Sequence, residues 1–559
     1  MSGGAESRGG TGAGDHLPLE GRGVSGFSRI GRLFAAFAGL AVLLWAGGCG
    51  RDAGPAGRPE VFIFARGSDA QKLDPADVDD GDSVNALAQV CEGLVRFRSG
   101  TLEIEPCLAE DYSVSADGLS YTFRLRAGVR FHDGTPLTAE AAAWSFRRQM
   151  DPRHPGRPPG AAFPYWKSLY GDIAAVETPD ERTLVFRLRR PNAALLSSLA
   201  VFPAWLLSPQ AFATHGEAFQ RHPVGTGPYR FLSWTPNQAI VLEANPDYWD
   251  APRRPQFQRL VLKVVPENSV RLLELKTGAV HGLDGLMPAE LAALEGDARF
   301  TVYREPGMNL GYLVMNLADP RFQAREVREA IALAIDRDRL AEVALGGAGR
   351  RADYPMPPGF LGYPETPDAL PFDPERSRAI LEAHPEARSR PIRLQVMTAP
   401  RPFLPDPVQA ASLIRAQLEA VGLPVEIVAM DFKSHLSRLR DHDYEMAIIG
   451  WIGDNGDPDN FLSVFFGSWA AEPGVATNYA GYRNPEMDRL LLDGRRETDP
   501  VRRAALYREA LALWRRDLPI IPLVHGDTIV VMRREVTGFR VQRTGDLQLG
   551  GIGWAAGER

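Results

Sequence analysis

Lysine is nearly missing from this chain: five stand in a Lys+Arg total of 63, against 70 Asp and Glu, and the formal net charge is −7. A chain with no basic excess lacks the electrostatic footprint of a nucleic-acid binder. The 58 arginines are scattered, alongside abundant Ala and Gly, as genome composition would scatter them. Cysteine is scarcer, three in 559 residues, with no CxxC pair and no neighbouring histidine to suggest a redox or metal motif. No GxSxG, HExxH or glycine-rich phosphate loop stands where its structural context would support it, and no carboxylate pair is distinguished among the 70, so no enzyme is expected. There is no internal repeat of 20–50 residues. What remains is ordinary for a folded chain, 44% hydrophobic and 24% charged, which excludes disordered, collagen-like and fully membrane-embedded classes. The length is too great for one core and predicts two to four lobes.

The N-terminus carries the first motif. Arg29 and Arg32 precede the apolar run Leu33–Ala46, followed by Gly47, Gly48 and Cys49. A basic region, an apolar stretch and small residues before a cut describe an export signal. Fourteen residues rise about 21 Å as a helix, short of a roughly 30 Å hydrocarbon core, so a spanning anchor is not expected. Ala-Gly-Gly-Cys resembles the lipobox of bacterial lipoproteins, with Ala46 where Leu is commonest. That resemblance implies acylation of Cys49 and membrane anchoring; ordinary cleavage with Cys49 incidental is the alternative. The Gly/Pro-rich residues after Cys49 suit a tether. Residues 1–28 are Gly-rich, with Glu6, Asp15 and Glu20, which is atypical ahead of a signal, and Val24 is a candidate true start. Export implies an oxidising compartment, where Cys91 and Cys107 could form a disulfide worth about 3 kcal/mol or remain two small buried hydrophobes.

The body reads as mixed α and β. Val61–Ala65, Tyr121–Arg126, Leu184–Leu188 and Ile240–Glu243 have strand character, and Asp82–Gly93 has helical spacing with Val84, Leu87, Ala88 and Cys91 on one face. Thr138 is the N-cap of a helix that carries Glu140 in its first turn. Beyond residue 305, helices over Glu326–Leu345, Pro374–Ala383, Val408–Val421 and Val501–Arg516 alternate with strands Arg393–Met397, Val425–Ala429 and Met446–Gly450, the pattern of an α/β lobe. Ile520–Met532 is β-branched again and is expected to return the chain to the first lobe.

Several segments resemble one family. DGLSYTFRLRAGVRFHDGTPLTAEAAAWSF (117–146), HPVGTGPYRFLSW (222–234), NPDYW (245–249), GYLVMNLADPRFQAREVREAIALAIDR (311–337) and GWIGDNGDPDNFLS (450–463) run in order along the chain. Together they resemble the extracellular solute-binding proteins of family 5, the dipeptide- and oligopeptide-binding components of ABC importers. The resemblance implies an α/β, two-lobed periplasmic-binding-protein-like clamshell of type II, in its large three-subdomain variant, closing on its ligand about two crossover segments. The expected division is a signal over 1–48, a lipidated tether over 49–59, a large lobe of two subdomains over 60–305 and 522–559, and a small lobe over 306–521. The implied partners are an ABC permease with its ATPase subunits and a membrane, the protein itself acting as a monomer.

A binder that tolerates varied side chains must hold what peptides share: an amine for a buried carboxylate, a carboxylate for an Arg fork, and a backbone. Asp454 follows the apolar strand MAIIGW and matches the position of the family's amine-binding aspartate. A calcium loop through Asp454, Asp457 and Asp459 fails because Pro458 interrupts it and Phe465 stands where a bidentate acid is needed; an Asp/Gly turn is the plain alternative. Arg401, in APRPFLPDP, resembles the carboxylate-binding Arg of the dipeptide branch, with Leu404 replacing the usual Asn; a solvated surface Arg is the alternative. Trp451 is expected to wall a side-chain pocket or to pack in the core, and Gly67 and Ser68 resemble the large-lobe segment that lines the cleft. His132 and Asp133 read as a turn, and His435 and His442 as surface histidines, so no metal or other cofactor is expected. The leading expectation is a receptor for di- and tripeptides; a nickel chelate, haem, glutathione or oligosaccharide on the same fold, or a peptide-sensing receptor, are alternatives.

Overall fold

The computed structural model describes residues 60–555. The expected signal, Cys49 and the tether fall outside them. Contacts divide the chain into residues 1–58 and 59–559, and every described residue belongs to the second unit.

Alternating burial builds the strands. In Ser120–Leu125, Tyr121, Phe123 and Leu125 point into a core, and the strand pairs with Ala109–Val114 and Thr183–Leu188 in a four-stranded antiparallel sheet completed by Ile173–Asp180. Helix Ala139–Met150 packs on it, its first turn capped by Thr138 Oγ1, which accepts from Ala141 N at 3.2 Å. The core over residues 94–206 belongs to this sheet.

The second assembly is a sheet of twelve strands. Its centre is the strand Ile520–Arg533, fourteen residues long and reaching about 46 Å at strand rise. From Ile520 to Val524 it pairs with Asn309–Met315; from Asp527 to Arg533 it pairs with Phe300–Pro306. The first pairing joins it to Met446–Ile452, Ile392–Met397 and Val425–Met430, whose helices share one apolar core from Met308 to Val524. Over the same second half Gly282–Asp284 also pairs with it, at Val530–Met532, and leads on to Val61–Arg66 and Arg259–Val264 over separate cores. One strand thus serves two lobes. Across the cleft the lobes touch: Ala193 N donates to Arg495 O at 2.8 Å, Asn455 Nδ2 to Ser198 Oγ at 3.0 Å, and Leu102 lies over Gly456.

Three expectations are corrected. The helix read over Glu326–Leu345 is two, Arg325–Ala334 and Arg337–Leu345: Ile335 is extended, and the Asp336 carboxylate restarts the helix by accepting from Arg339 N at 2.9 Å. The helix read over Asp82–Gly93 spans Gly81–Leu87, because Val90 is drawn off to accept from Gly227 N at 2.9 Å. Cys91 and Cys107 are both buried but unbridged. They belong to different cores, Cys91 to the central sheet and Cys107 to the four-stranded sheet, with Glu92 and Arg96 beside the Cys107 thiol.

That separation makes a prediction. Alkylation of unreduced protein in denaturant should label both Cys91 and Cys107, with little labelling of the folded protein. A tryptic fragment pair joined through them would contradict the arrangement.

Candidate functional site

Two ion pairs, one buried and one half-buried, shape the turn after strand Met446–Ile452. Arg503 grips Asp457 with both Nη atoms at 2.6 and 2.7 Å, and Arg495 holds Asp459 Oδ2 at 2.7 and 3.0 Å. Those arginines, rather than a cation, account for two of the three aspartates. Asp454 is the third and has no cationic partner among the described residues. Its Oδ2 accepts from Asn460 Nδ2 at 3.3 Å and its side chain meets the Tyr165 hydroxyl, which arrives from the other lobe. Part of Asp454 opens to the cleft, but protein encloses the carboxylate otherwise, and burial raises its pKa to about 6 against the weaker lowering by Asn460 and Tyr165.

Asn460 organises this corner. It stands at the start of helix Asp459–Phe466, and its Oδ1 accepts from Trp451 Nε1 at 3.2 Å and from Asp454 N at 3.0 Å. One side chain therefore orients both the candidate carboxylate and the candidate pocket wall.

Arg401 is the counterpart. It opens a tight turn closed by Arg401 N to Leu404 O at 3.1 Å and Leu404 N to Arg401 O at 2.9 Å. Its guanidinium lies 3.7 Å from the Phe432 ring centroid. The buried Nε has no hydrogen-bond partner, no carboxylate pairs with the group among the described residues, and burial lowers its pKa. A chain that pairs so many of its arginines leaves this one open.

Arg401, Asp454 and Trp451 line a single cavity of about 950 Å³, with Tyr165, Phe202 and Trp205 facing them from the other lobe. One lobe offers a carboxylate and a guanidinium among apolar surface and further charged side chains, Asp79, Asp80 and Arg543 included, a setting that complements a zwitterion with side chains. Glu92 also lines the cavity, yet Thr226, Tyr248 and Trp249 each donate to it at 2.8 Å, so its oxygens are occupied.

Gly67 and Ser68 are not brought to this wall. Gly67 sits against Arg271, and the Ser68 hydroxyl donates to Asp82; Asp79, Asp80 and neighbouring residues line the cavity from the large lobe instead. His435 is a core residue, not a surface one: it is fully buried, its Nδ1 is 3.0 Å from Gln395 Nε2, and desolvation lowers its pKa to about 4. His442 lies within 2.8 Å of Tyr479 O, and His132 within 2.9 Å of Gly227 O, in the turn expected for it. Among the described residues no three His, Cys, Asp or Glu side chains group as a metal site requires. Sequence reasoning missed Tyr165, Phe432 and Asn460. Asn460 stands six residues from Asp454 in a quoted motif, whereas Tyr165 and Phe432 are far from both anchors in sequence and carry no local signal.

Comparison with known proteins agrees with this architecture. The profile of the bacterial extracellular solute-binding proteins, family 5 Middle, matches residues 103–472. Di/tripeptide-binding protein 1 of Pseudomonas aeruginosa (strain UCBPP-PA14) is 31% identical over 87% of this chain and 94% of its own length. Heme-binding protein A of Haemophilus influenzae (strain ATCC 51907 / DSM 11121 / KW20 / Rd) is 31% identical over 86% of this chain and 89% of its own. Among solved structures, the ABC transporter-associated periplasmic binding protein DppA from Helicobacter pylori, in complex with peptide STSA, superposes with a TM-score of 0.75 at 30% identity, covering 88% of this chain and 98% of that one. The chain belongs to the bacterial extracellular solute-binding proteins of family 5.

Proposed function

We propose that this protein is the substrate-binding component of a peptide ABC importer, taking di- and tripeptides by both ends and closing on them by hinge motion. The single observation that carries the reading is a guanidinium without a carboxylate and a carboxylate without a cation lining one cavity. Asp454 takes the α-amine, Arg401 the α-carboxylate, and Trp451 bounds a side-chain pocket. In this reading residues 1–48 direct export, Cys49 carries lipid at the outer face of the cell membrane, and 49–59 tether the receptor. The lobes 60–305 with 522–559, and 306–521, then close about the crossovers and present the ligand to a permease and its ATPase subunits. The relatives' names for di- and tripeptide binding support the ligand class. A haem cargo is the competing reading, because a relative of equal identity is named for it. No histidine lines the cavity among the described residues, which removes the commonest axial ligand.

Calorimetry of residues 50–559 tests the anchors. Asp454→Ala and Arg401→Ala should each weaken dipeptide binding by about 2–5 kcal/mol, or roughly 30- to several thousand-fold. Acetylating or amidating the peptide should do the same at the corresponding end. Unchanged affinity in either variant would remove that residue from the site, and binding of haem alone would replace the peptide reading.

The raised pKa fixes a pH profile. Below about pH 6 Asp454 takes up a proton that must leave before an ammonium can pair with it, so affinity should fall towards acid. Above about pH 8 the peptide amine itself loses its proton, so binding should be strongest between. The sign for the empty protein is opposite. A carboxyl whose pKa is higher folded than unfolded destabilises the fold when ionised, fully above about pH 6 and not at all below its ordinary value of 3.8. Asp454→Asn should therefore raise the melting temperature of empty protein at pH 8, lose that gain on acidification, and abolish peptide binding. A melting difference that is flat with pH would contradict the burial of this charge.

A further inference from the structure

The two anchors stand on separate pieces of chain, yet one side chain joins them. Phe403 belongs to the turn that Arg401 opens, and it is 3% exposed. Its ring lies against Gly450, where a Cβ would stand 2.5 Å from Phe403 Cζ and nearer still to two other ring carbons. Gly450 does not have a positive φ, so conformation does not call for glycine there; space does. The same strand leads directly to Trp451 and, four residues on, to Asp454. On its other side the turn rests on the crossover strand. A Cβ at Gly526 would collide with the Pro402 carbonyl oxygen, with Pro402 C at 3.1 Å, and Gly526 too lies outside the positive-φ region. Phe403 and Gly450 both line the cavity.

We propose that Phe403, its ring seated in the notch at Gly450 and its turn braced against Gly526 through Pro402, is a ruler: it sets the separation of Arg401 from Asp454 and so the length of peptide that can be held at both ends. The inference rests on the peptide reading above and adds length selection to it. It assigns Gly450, Gly526 and Phe403 as positioning residues, none of which needs to touch the termini of the ligand. The physical basis is that close-packed interiors transmit displacement rather than absorb it. A methyl at Gly450 forces the ring away by about 1 Å before ordinary carbon contact of about 3.5 Å is restored. The turn is braced by Gly526 behind and by its own two hydrogen bonds, so Arg401 moves with the ring.

The test compares wild type, Gly450→Ala and Gly450→Ala/Phe403→Leu by calorimetry. The probes are dialanine, trialanine and tetraalanine, with their C-terminal amides. Gly450→Ala should weaken the length that wild type prefers by about tenfold or more, change the ratio among the three lengths, and shrink the penalty for amidation. Phe403→Leu in the same chain should restore the wild-type ratio, because the smaller side chain relieves the clash. Equal weakening of all three lengths, or failure of Phe403→Leu to restore the ratio, would overturn the ruler. Should Gly450→Ala not fold, Phe403→Leu alone decides: a slackened turn should broaden the length preference, and an unchanged ratio rejects the idea. Wild type that binds none of the peptides rejects the peptide reading and the ruler together. Wild type that binds, with ratios untouched by the variants, rejects the ruler only.

Discussion

Everything in this fold hangs on one strand that two lobes must share. Ile520–Arg533 is hydrogen-bonded to Asn309–Met315 in its first half and to Phe300–Pro306 in its second. The chain also passes between lobes at the link from Pro306 to Asn309. The two passages are stapled: Asn309 Nδ2 donates to Gly526 O and Gly526 N donates to Asn309 Oδ1, both at 2.8 Å, while Gly307 N donates to the same Gly526 O at 3.2 Å. An amide side chain here does what a backbone partner does inside a sheet. Any change in the angle between lobes has to be taken up beside this staple or at the adjoining register shift between Gly311 and Tyr312, because the ladder to Phe300–Pro306 is continuous.

The shared strand also decides what each lobe can contribute. Asp454, Arg401, Trp451 and Phe403 all stand on elements of the core from Met308 to Val524. Both candidate anchors therefore stand on one core, so in the proposed reading their spacing does not depend on how far the cleft is closed. The other lobe brings Tyr165, Phe202 and Trp205, which supply apolar cover and one hydroxyl on Asp454. In the proposed reading one lobe measures the ligand and the other removes it from water.

Much of the architecture was legible because burial has a period. The alternation in Ser120–Leu125 and the apolar spacing in Pro374–Ala383 are direct records of one face meeting a core, and the Ile520–Met532 segment was recognisable as a return to the first lobe. That Asp454, Arg401 and Trp451 line one cavity was legible for a different reason: each lies in a motif with a family resemblance. What stayed hidden is tertiary. The break at Asp336 is a capping event inside a continuous apolar pattern, Cys91 and Cys107 are divided between cores that sequence does not delimit, and Ser68 is committed to Asp82 by a fold nobody could read from the two letters. His435 looked superficial because its apolar surroundings come from other strands. Tyr165 reaches Asp454 from almost three hundred residues away.

Buried arginines of this chain are held by carboxylates or, as at Arg271, Arg328 and Arg337, by backbone carbonyls. Buried ions are tolerated when matched, and here Arg148 is matched by Asp74, Arg503 by Asp457 and Arg495 by Asp459. Arg401 and Asp454 break that rule on the same cavity wall. Leaving them unmatched destabilises the empty protein, and for Asp454 the shift from 3.8 to about 6 corresponds to something of the order of 3 kcal/mol at neutral pH. The same burial that makes the ionised carboxylate unfavourable alone makes it a stronger partner for an ammonium, because the low dielectric that withholds water also sharpens Coulomb attraction. In the proposed reading, stability given up in the empty state is returned on binding to a ligand that supplies both missing charges at the spacing this lobe sets.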